Sequence, residues 1–272
     1  MPPSYTGFAY QSLRSSDLDF LYTQNLPRCM IRGSTRSFNT SMTLPTRTFL
    51  AFQRDGKLST LQTRVVAVQP YGSLEQNNQD LFKQGTQHDY VVITEQTIFH
   101  PQGGGQPSDV GKMTDEGGEI DLELRLLYSR YHTAGHVLGS AVNHLLKDKI
   151  EDFDELKASH FPDSASCEFQ GLIEGKWKDA IQKKVDEFIA AKMPVEIDWW
   201  DEQDFRDNGL ERLTPDASFV APGEKFRVVK IVGAEVYPCG GTHVDTTDLC
   251  GETKVKKISR SKGKSKVSYL LP

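Results

Sequence analysis

Two short stretches carry the residues best suited to chemistry. His132-Thr133-Ala134-Gly135-His136 sets two imidazoles four residues apart, and Cys239-Gly240-Gly241-Thr242-His243 sets a thiol and a third imidazole at the same spacing. In a helix, positions i and i+4 share a face, so His132 and His136 can address one ion. Cys239 and His243 would come from a tight, glycine-bearing turn. Three nitrogens and one sulfur suit a borderline-soft ion of tetrahedral preference, and the expected cofactor is one zinc ion, Zn2+.

Four protein ligands describe a closed structural site, whereas a catalytic zinc keeps one position for water or substrate. The spacing leaves both readings open. There is no His-Glu-x-x-His, so the glutamate base of a zinc protease is missing and amide hydrolysis is disfavoured. An activated ester is a smaller obstacle. The other cysteines that could compete, Cys167 and Cys250, read as buried packing residues. Four scattered cysteines make no disulfide framework, which points to a reducing compartment and a cytoplasmic location.

The elements that must position these groups follow from periodicity. A helix is expected from His132 to about Lys147, with Ala134, Leu138, Ala141 or Val142, and Leu145 as its apolar stripe. Residues 121–127 alternate and read as a strand. Further strands are expected at 166–173, 195–200, 226–232, 253–259 and 266–271, with a helix at 173–193 stopped by Pro194 and a short one at 202–208. Strands outnumber helices and connections are short, so this part is α+β with an antiparallel sheet.

Upstream, 63–68 and 90–94 are strand-like. Between them and the histidine helix lies His100-Pro101-Gln102-Gly103-Gly104-Gly105-Gln106-Pro107-Ser108-Asp109. Its three glycines and two prolines predict a tight exposed loop. Such a loop either joins two strands or brings backbone close to a substrate, with Gln106 supplying an amide.

At 272 residues the chain has room for two modest domains. No apolar run approaches the roughly 18 residues of a membrane span. The net charge of -5 is unevenly spread. From Glu252 onward there are seven basic residues (Lys254, Lys256, Lys257, Arg260, Lys262, Lys264, Lys266) against that one acid. This stripe of about +6 on an otherwise acidic chain suits a polyanionic partner. Residues 1–47 are Arg-, Ser- and Thr-rich without periodicity and are expected to form a flexible or targeting extension, within which residues 1–41 acting as a presequence would send a fraction to mitochondria.

Together, His-Thr-Ala-x-His, Cys-Gly-Gly-Thr-His-Val, the closing Lys-Gly-Lys-x-Lys-Val-Ser-Tyr and the motif from Gly103 to Asp109 resemble the editing domain of alanyl-tRNA synthetase and the free-standing AlaX proteins. The resemblance spans roughly residues 48–272. It implies a small β-barrel domain over 48–127, followed by an α+β zinc-binding editing domain over 128–272, of the threonyl/alanyl-tRNA synthetase second additional domain type. It implies hydrolysis of mischarged tRNA(Ala) whose acceptor end carries serine or glycine. A pocket built for alanine cannot exclude glycine by size and rejects an added hydroxyl poorly, so a second site that hydrogen-bonds the hydroxyl discriminates better.

Carried onto this sequence, the resemblance makes His132, His136, Cys239 and His243 the zinc ligands. Gln106, with Gly103, Gly104 and Gly105, would line the pocket, and Thr133 and Thr242 would read the serine hydroxyl. Lys256, Lys262 and Lys264 would meet tRNA phosphates. Water would attack the ester carbon directly, with zinc orienting the substrate through its amino or hydroxyl group or acidifying the water. Two alternatives remain. One is a Ser-tRNA(Thr) deacylase, since the threonyl-tRNA synthetase editing domain shares the ligand spacing. The other is a non-catalytic tRNA-binding module with structural zinc.

Overall fold

The computed structural model describes residues 11–14, 47–80, 85–114, 117–217, 220 and 223–272. Apart from 11–14, the expected N-terminal extension lies outside the described residues up to position 46. The chain divides into two compact units. One holds the described residues before Gln102 together with Val110–Asp121, and the other holds Gln102–Asp109 and Leu122–Pro272.

In the first unit, strands β1 (Gln11–Arg14), β2 (Phe49–Leu50), β3 (Thr60–Leu61), β4 (Val65–Pro70), β5 (Asp89–Thr94), β6 (Gln96–Thr97), β7 (Gly111–Thr114) and β8 (Gly117–Ile120) accompany a one-turn helix α1 (Gln76–Gln79). A small barrel is expected here, but the described residues form three separate sheets, β1-β5-β4, β2-β6 and β3-β8-β7. Closure needs a continuous ladder with a consistent stagger. Several of these strands are two residues long, β4 ends at Pro70, and its register with β5 shifts between Val65 and Ala67. Ala51, Ile98, Phe99 and Ile120 form the buried cluster of this unit.

The second unit is α+β. Its central helix α2 runs from Leu122 to Leu146, ten residues longer at the start than expected. Residues 122–127 are therefore helix and not strand. Leu-Glu-Leu-Arg-Leu-Leu alternates, yet every member is a strong helix former and none is β-branched. The alternation does not mark a sheet face either: Leu122 and Leu126 are exposed while Arg125 is buried. Farther along, Ala134, Val137, Leu138, Ala141, Val142 and Leu146 are fully buried at helical spacing.

That stripe joins one cluster with two other elements. The first is the antiparallel sheet β14-β15-β10-β9, made by β9 (Asp154–Ser159), β10 (Ser166–Gln170), β14 (Lys254–Ser261) and β15 (Lys264–Leu270). Its inward residues Cys167, Phe169, Val255, Val267 and Tyr269 alternate with outward polar ones. The second is helix α3 (Lys178–Ala190), through Ile181, Val185 and Phe188.

A second sheet, β11 (Val195–Trp200), β12 (Phe226–Ile231) and β13 (Glu235–Pro238), is also antiparallel and delivers the chain directly to Cys239. Between β11 and β12, α4 (Glu202–Asp207) starts with a capping box in which the Asp201 side chain and Asp204 satisfy each other's backbone N–H groups. The strands at 166–173, 195–200 and 226–232, the two helices around them and the hairpin at Gly263 all appear where periodicity places them.

Candidate metal centre

The middle of α2 carries His132, Thr133 and His136, and the loop after β13 carries Cys239, Thr242 and His243. The side chains of His132, His136, Cys239 and His243 converge, with one ligand atom from each lying within 4.8 Å of all the others. Cys239 Sγ stands 3.4 Å from His132 Nε2 and 3.3 Å from His243 Nε2. Two ligands on one tetrahedral zinc, with bonds near 2.05 and 2.3 Å, lie roughly 3.5 Å apart. The donor spacing fits such an ion. Gly241 permits the approach of the loop, because a Cβ there would stand 2.2 Å from His132 Cε1.

Each imidazole is held by its other nitrogen. His132 Nδ1 is 2.7 Å from Gln106 Oε1, His136 Nδ1 is 3.1 Å from Glu235 Oε1, and His243 Nδ1 is 3.1 Å from Thr133 Oγ1. The backbone N–H of Thr242 also donates to Gln106 Oε1 at 3.0 Å, which fixes the amide orientation. Facing an acceptor, His132 carries its proton on Nδ1 and presents the Nε2 lone pair toward Cys239 for ligation. The Glu235 carboxylate likewise keeps a proton on His136 Nδ1. Such outer partners orient ligands and raise their basicity.

The Gln106 network has a direction. Ser129 Oγ donates to Arg125 O at 2.8 Å, so it accepts from Thr242 Oγ1 at 2.7 Å. Thr242 Oγ1 in turn accepts from Gln106 Nε2 at 2.8 Å. The loop that presents Gln106 is a two-residue hairpin. Gly103 and Gln106 exchange backbone hydrogen bonds across Gly104 (φ +56°) and Gly105 (φ +80°), the signs of a type I′ turn. Its far end is clamped by Asp109, which takes both Nε and an Nη of Arg125 on α2 in a fork whose side chains are 0% and 2% exposed.

Electrostatically the cluster favours cations. Burial opposes a charge on His136, but the Cys239 sulfur and the Glu235 carboxylate outweigh it and raise its pKa well above the histidine range. Burial likewise works against Cys239, yet His136, with Arg227 behind it, holds the thiol below its ordinary value. Glu235 is raised, chiefly by burial. Protons and a divalent cation would compete for the same four groups.

Residues 226–267 match the family described as the threonyl and alanyl tRNA synthetase second additional domain. An alanyl-tRNA editing protein, AlaX-L, of Pyrococcus horikoshii is 28% identical over 200 residues, covering 61% of this chain and 47% of that protein. The chain is thus similar to the AlaX-type alanyl-tRNA editing proteins over about three fifths of its length. Alanine–tRNA ligases are similar too. That of Methanothermobacter thermautotrophicus is 28% identical over 205 residues (64% of this chain, 22% of the ligase), and that of Haloquadratum walsbyi 27% over 209 (65% and 22%). The chain thus spans about a fifth of the ligases and less than half of the AlaX-L relative.

Against the AlaX-type expectation, the four ligand residues meet as the spacing requires. Gln106, Thr133 and Thr242 all stand at the cluster, but Gln106 and Thr133 are 0% and Thr242 1% exposed, with their polar atoms engaged inside the protein. The loop expected to be exposed is therefore half interior. Gly104 is exposed, Gly103 and Gly105 are half-buried, and Gln106 and Pro107 are buried. Lys256, Lys262 and Lys264 are exposed on the β14–β15 hairpin, not among the cluster residues. Lys256 sits at a register shift, Lys262 in the turn with φ +50°, and Lys264 is 3.7 Å from Glu168.

Sequence reasoning missed Glu235 and His160. Glu235 was one acid four residues before Cys239. His160, just after β9, is 3% exposed and stacks on His132 with ring centroids 4.3 Å apart. Burial first, then the charge of His136, hold its pKa down to about 3.

Proposed function

We propose that the protein is an aminoacyl-tRNA editing hydrolase that removes serine, and also glycine, wrongly attached to tRNA(Ala), by hydrolysing the aminoacyl ester. The observation that carries this reading is the four-residue cluster, with an outer partner already fixing each imidazole, in a chain related to alanyl-tRNA editing proteins. Zinc is the ion that a donor set of three imidazole nitrogens and one thiolate sulfur fits, and when bound it would supply a Lewis acid to the ester or to water. Gln106, Glu235 and Thr133 hold the ligands in position. Beside Gly104, where an added Cβ would meet nothing within 4 Å, there is space next to this frame for the tRNA terminus. The exposed lysines of the hairpin would contact phosphates, a salt-dependent term that carries no sequence reading.

The test is deacylation of Ser-tRNA(Ala), Gly-tRNA(Ala), Ala-tRNA(Ala) and Ser-tRNA(Thr) by zinc-loaded protein. Selective release from the first two is expected. Release from Ser-tRNA(Thr) alone would move the protein to the threonyl branch. Binding of tRNA without any release would favour a module with structural zinc, the reading that a closed set of four protein ligands suggests.

A further inference from the structure

We propose that His160 contacts the substrate, its Nε2 accepting a hydrogen bond from the hydroxyl of the misattached serine. The proposal rests on the editing reading and assigns the specificity determinant within it.

The tautomer of His160 follows from its neighbours. Tyr269 has a single hydroxyl hydrogen and donates it to Tyr131 O at 2.9 Å. Toward His160 Nδ1, 2.8 Å away, the same oxygen is therefore the acceptor. The imidazole proton sits on Nδ1, and Nε2 is a bare acceptor. It has no hydrogen-bond partner among the described residues, nor is it among the enclosed polar atoms that lack one, so solvent reaches it.

The ring is rigidly held. Its backbone N–H donates to Gly105 O at 2.8 Å, and one face stacks on His132. Cε1 lies where a Cβ on Gly135 would be only 2.3 Å away. His160 adjoins the metal cluster without belonging to it. A histidine that merely packs would ordinarily use both nitrogens.

The other hydroxyls at the cluster have partners and are closed to substrate, Thr133 being 0% and Thr242 1% exposed. Thr242 Oγ1 donates to Ser129 and accepts from Gln106, and Thr133 Oγ1 serves His243 and the Val244 N–H. A fixed, acceptor-only nitrogen beside the cluster suits serine and penalises alanine, which would bury it without a partner. Glycine also lacks the hydroxyl, so the contribution of His160 is confined to serine.

The experiment compares wild type with His160→Phe, which keeps an aromatic face toward His132 and removes both nitrogens. Seryl-, alanyl- and glycyl-3′-amino-3′-deoxyadenosine, amide analogues that are not hydrolysed as esters, are titrated by calorimetry. Deacylation of Ser- and Gly-tRNA(Ala) is measured alongside, with metal content. The expected result is a loss of about tenfold or more in seryl affinity and in kcat/KM on Ser-tRNA(Ala). Glycyl values and metal content should be unchanged. Should His160→Phe fail to fold by circular dichroism, His160→Met supplies the same comparison. Equal losses on serine and glycine, loss of metal, or unchanged seryl binding would each overturn the assignment. Wild-type protein that hydrolyses neither ester would refute the editing reading itself, and this assignment with it.

Discussion

Replacing Gln106 with leucine preserves side-chain volume and removes an amide that makes three hydrogen bonds. His132 Nδ1–H loses its acceptor at 2.7 Å and the Thr242 N–H loses its own at 3.0 Å, while Thr242 Oγ1 loses a donor but keeps Ser129. Two buried donors lose this acceptor, at about 1–3 kcal/mol each, so the metal-free fold should lose about 2–6 kcal/mol. With the ring of His132 no longer oriented, metal affinity should fall about 10–100-fold, equivalent to about 1.4–2.8 kcal/mol. The assays are zinc affinity by chelator competition and stability by urea unfolding of metal-free protein. A residue that only touched substrate would lower kcat/KM and leave both quantities alone. Gln106→Leu protein that keeps zinc affinity within about threefold of wild type would refute the positioning role and return Gln106 to the substrate pocket.

Three further outcomes follow from other contacts. Asp109→Asn removes the carboxylate charge that faces the buried Arg125 guanidinium and should cost about 3–5 kcal/mol in urea unfolding, far more than a surface pair would. Gly105→Ala should destabilise more than Gly104→Ala. Both residues have positive φ, but a Cβ on Gly105 would stand 2.5 Å from Ala158 O while one on Gly104 meets nothing, so only strain of about 1–2 kcal/mol applies at Gly104. Asp198 is depressed to about 2, first by its hydrogen bond from Lys230 and then by the Trp199 N–H. A carboxyl lowered on folding stabilises above its unfolded pKa of about 3.9, and that contribution is lost as pH falls from about 4 to about 2. Asp198 is 46% exposed, so the effect should stay under about 1 kcal/mol. The stability gap between wild type and Asp198→Asn, followed by tryptophan fluorescence, should close over that window.

What the sequence made legible was whatever is encoded locally. His132 with His136 and Cys239 with His243 declare themselves by four-residue spacing, and donor chemistry joins the two pairs across a hundred residues. The hairpin around Gly263 and the helix ended by Pro194 are equally local. Where tertiary packing decides, local signals mislead. The glycine run before Gln106 has the composition of an exposed loop, yet the fork between Asp109 and Arg125 draws its end inward and buries the amide. Residues 122–127 alternate like a strand, and only the helix-forming character of each residue betrays α2. β9 escaped notice because Asp-Glu-Leu-Lys-Ala-Ser is the charged sequence of a protected sheet edge.

The same distinction explains why the four candidate ligands could be named while two of their neighbours could not. A ligand set is constrained by one ion's radius and preferred geometry, which leaves a motif in the chain. Glu235 reaches His136 only because β13 pairs with β12 in the observed register, Glu235 opposite Ile231. His160 reaches His132 only because β9 pairs with β10 and Tyr269 on β15 fixes the ring. These residues answer to sheet register, and nothing at fixed sequence distance from the ligands marks them. Groups that orient or discriminate are therefore to be sought among the buried polar side chains around the cluster, by asking which nitrogen or oxygen each has left over. By that criterion every side-chain polar atom of Gln106, Thr133 and Thr242 has a partner, and His160 Nε2 has none among the described residues.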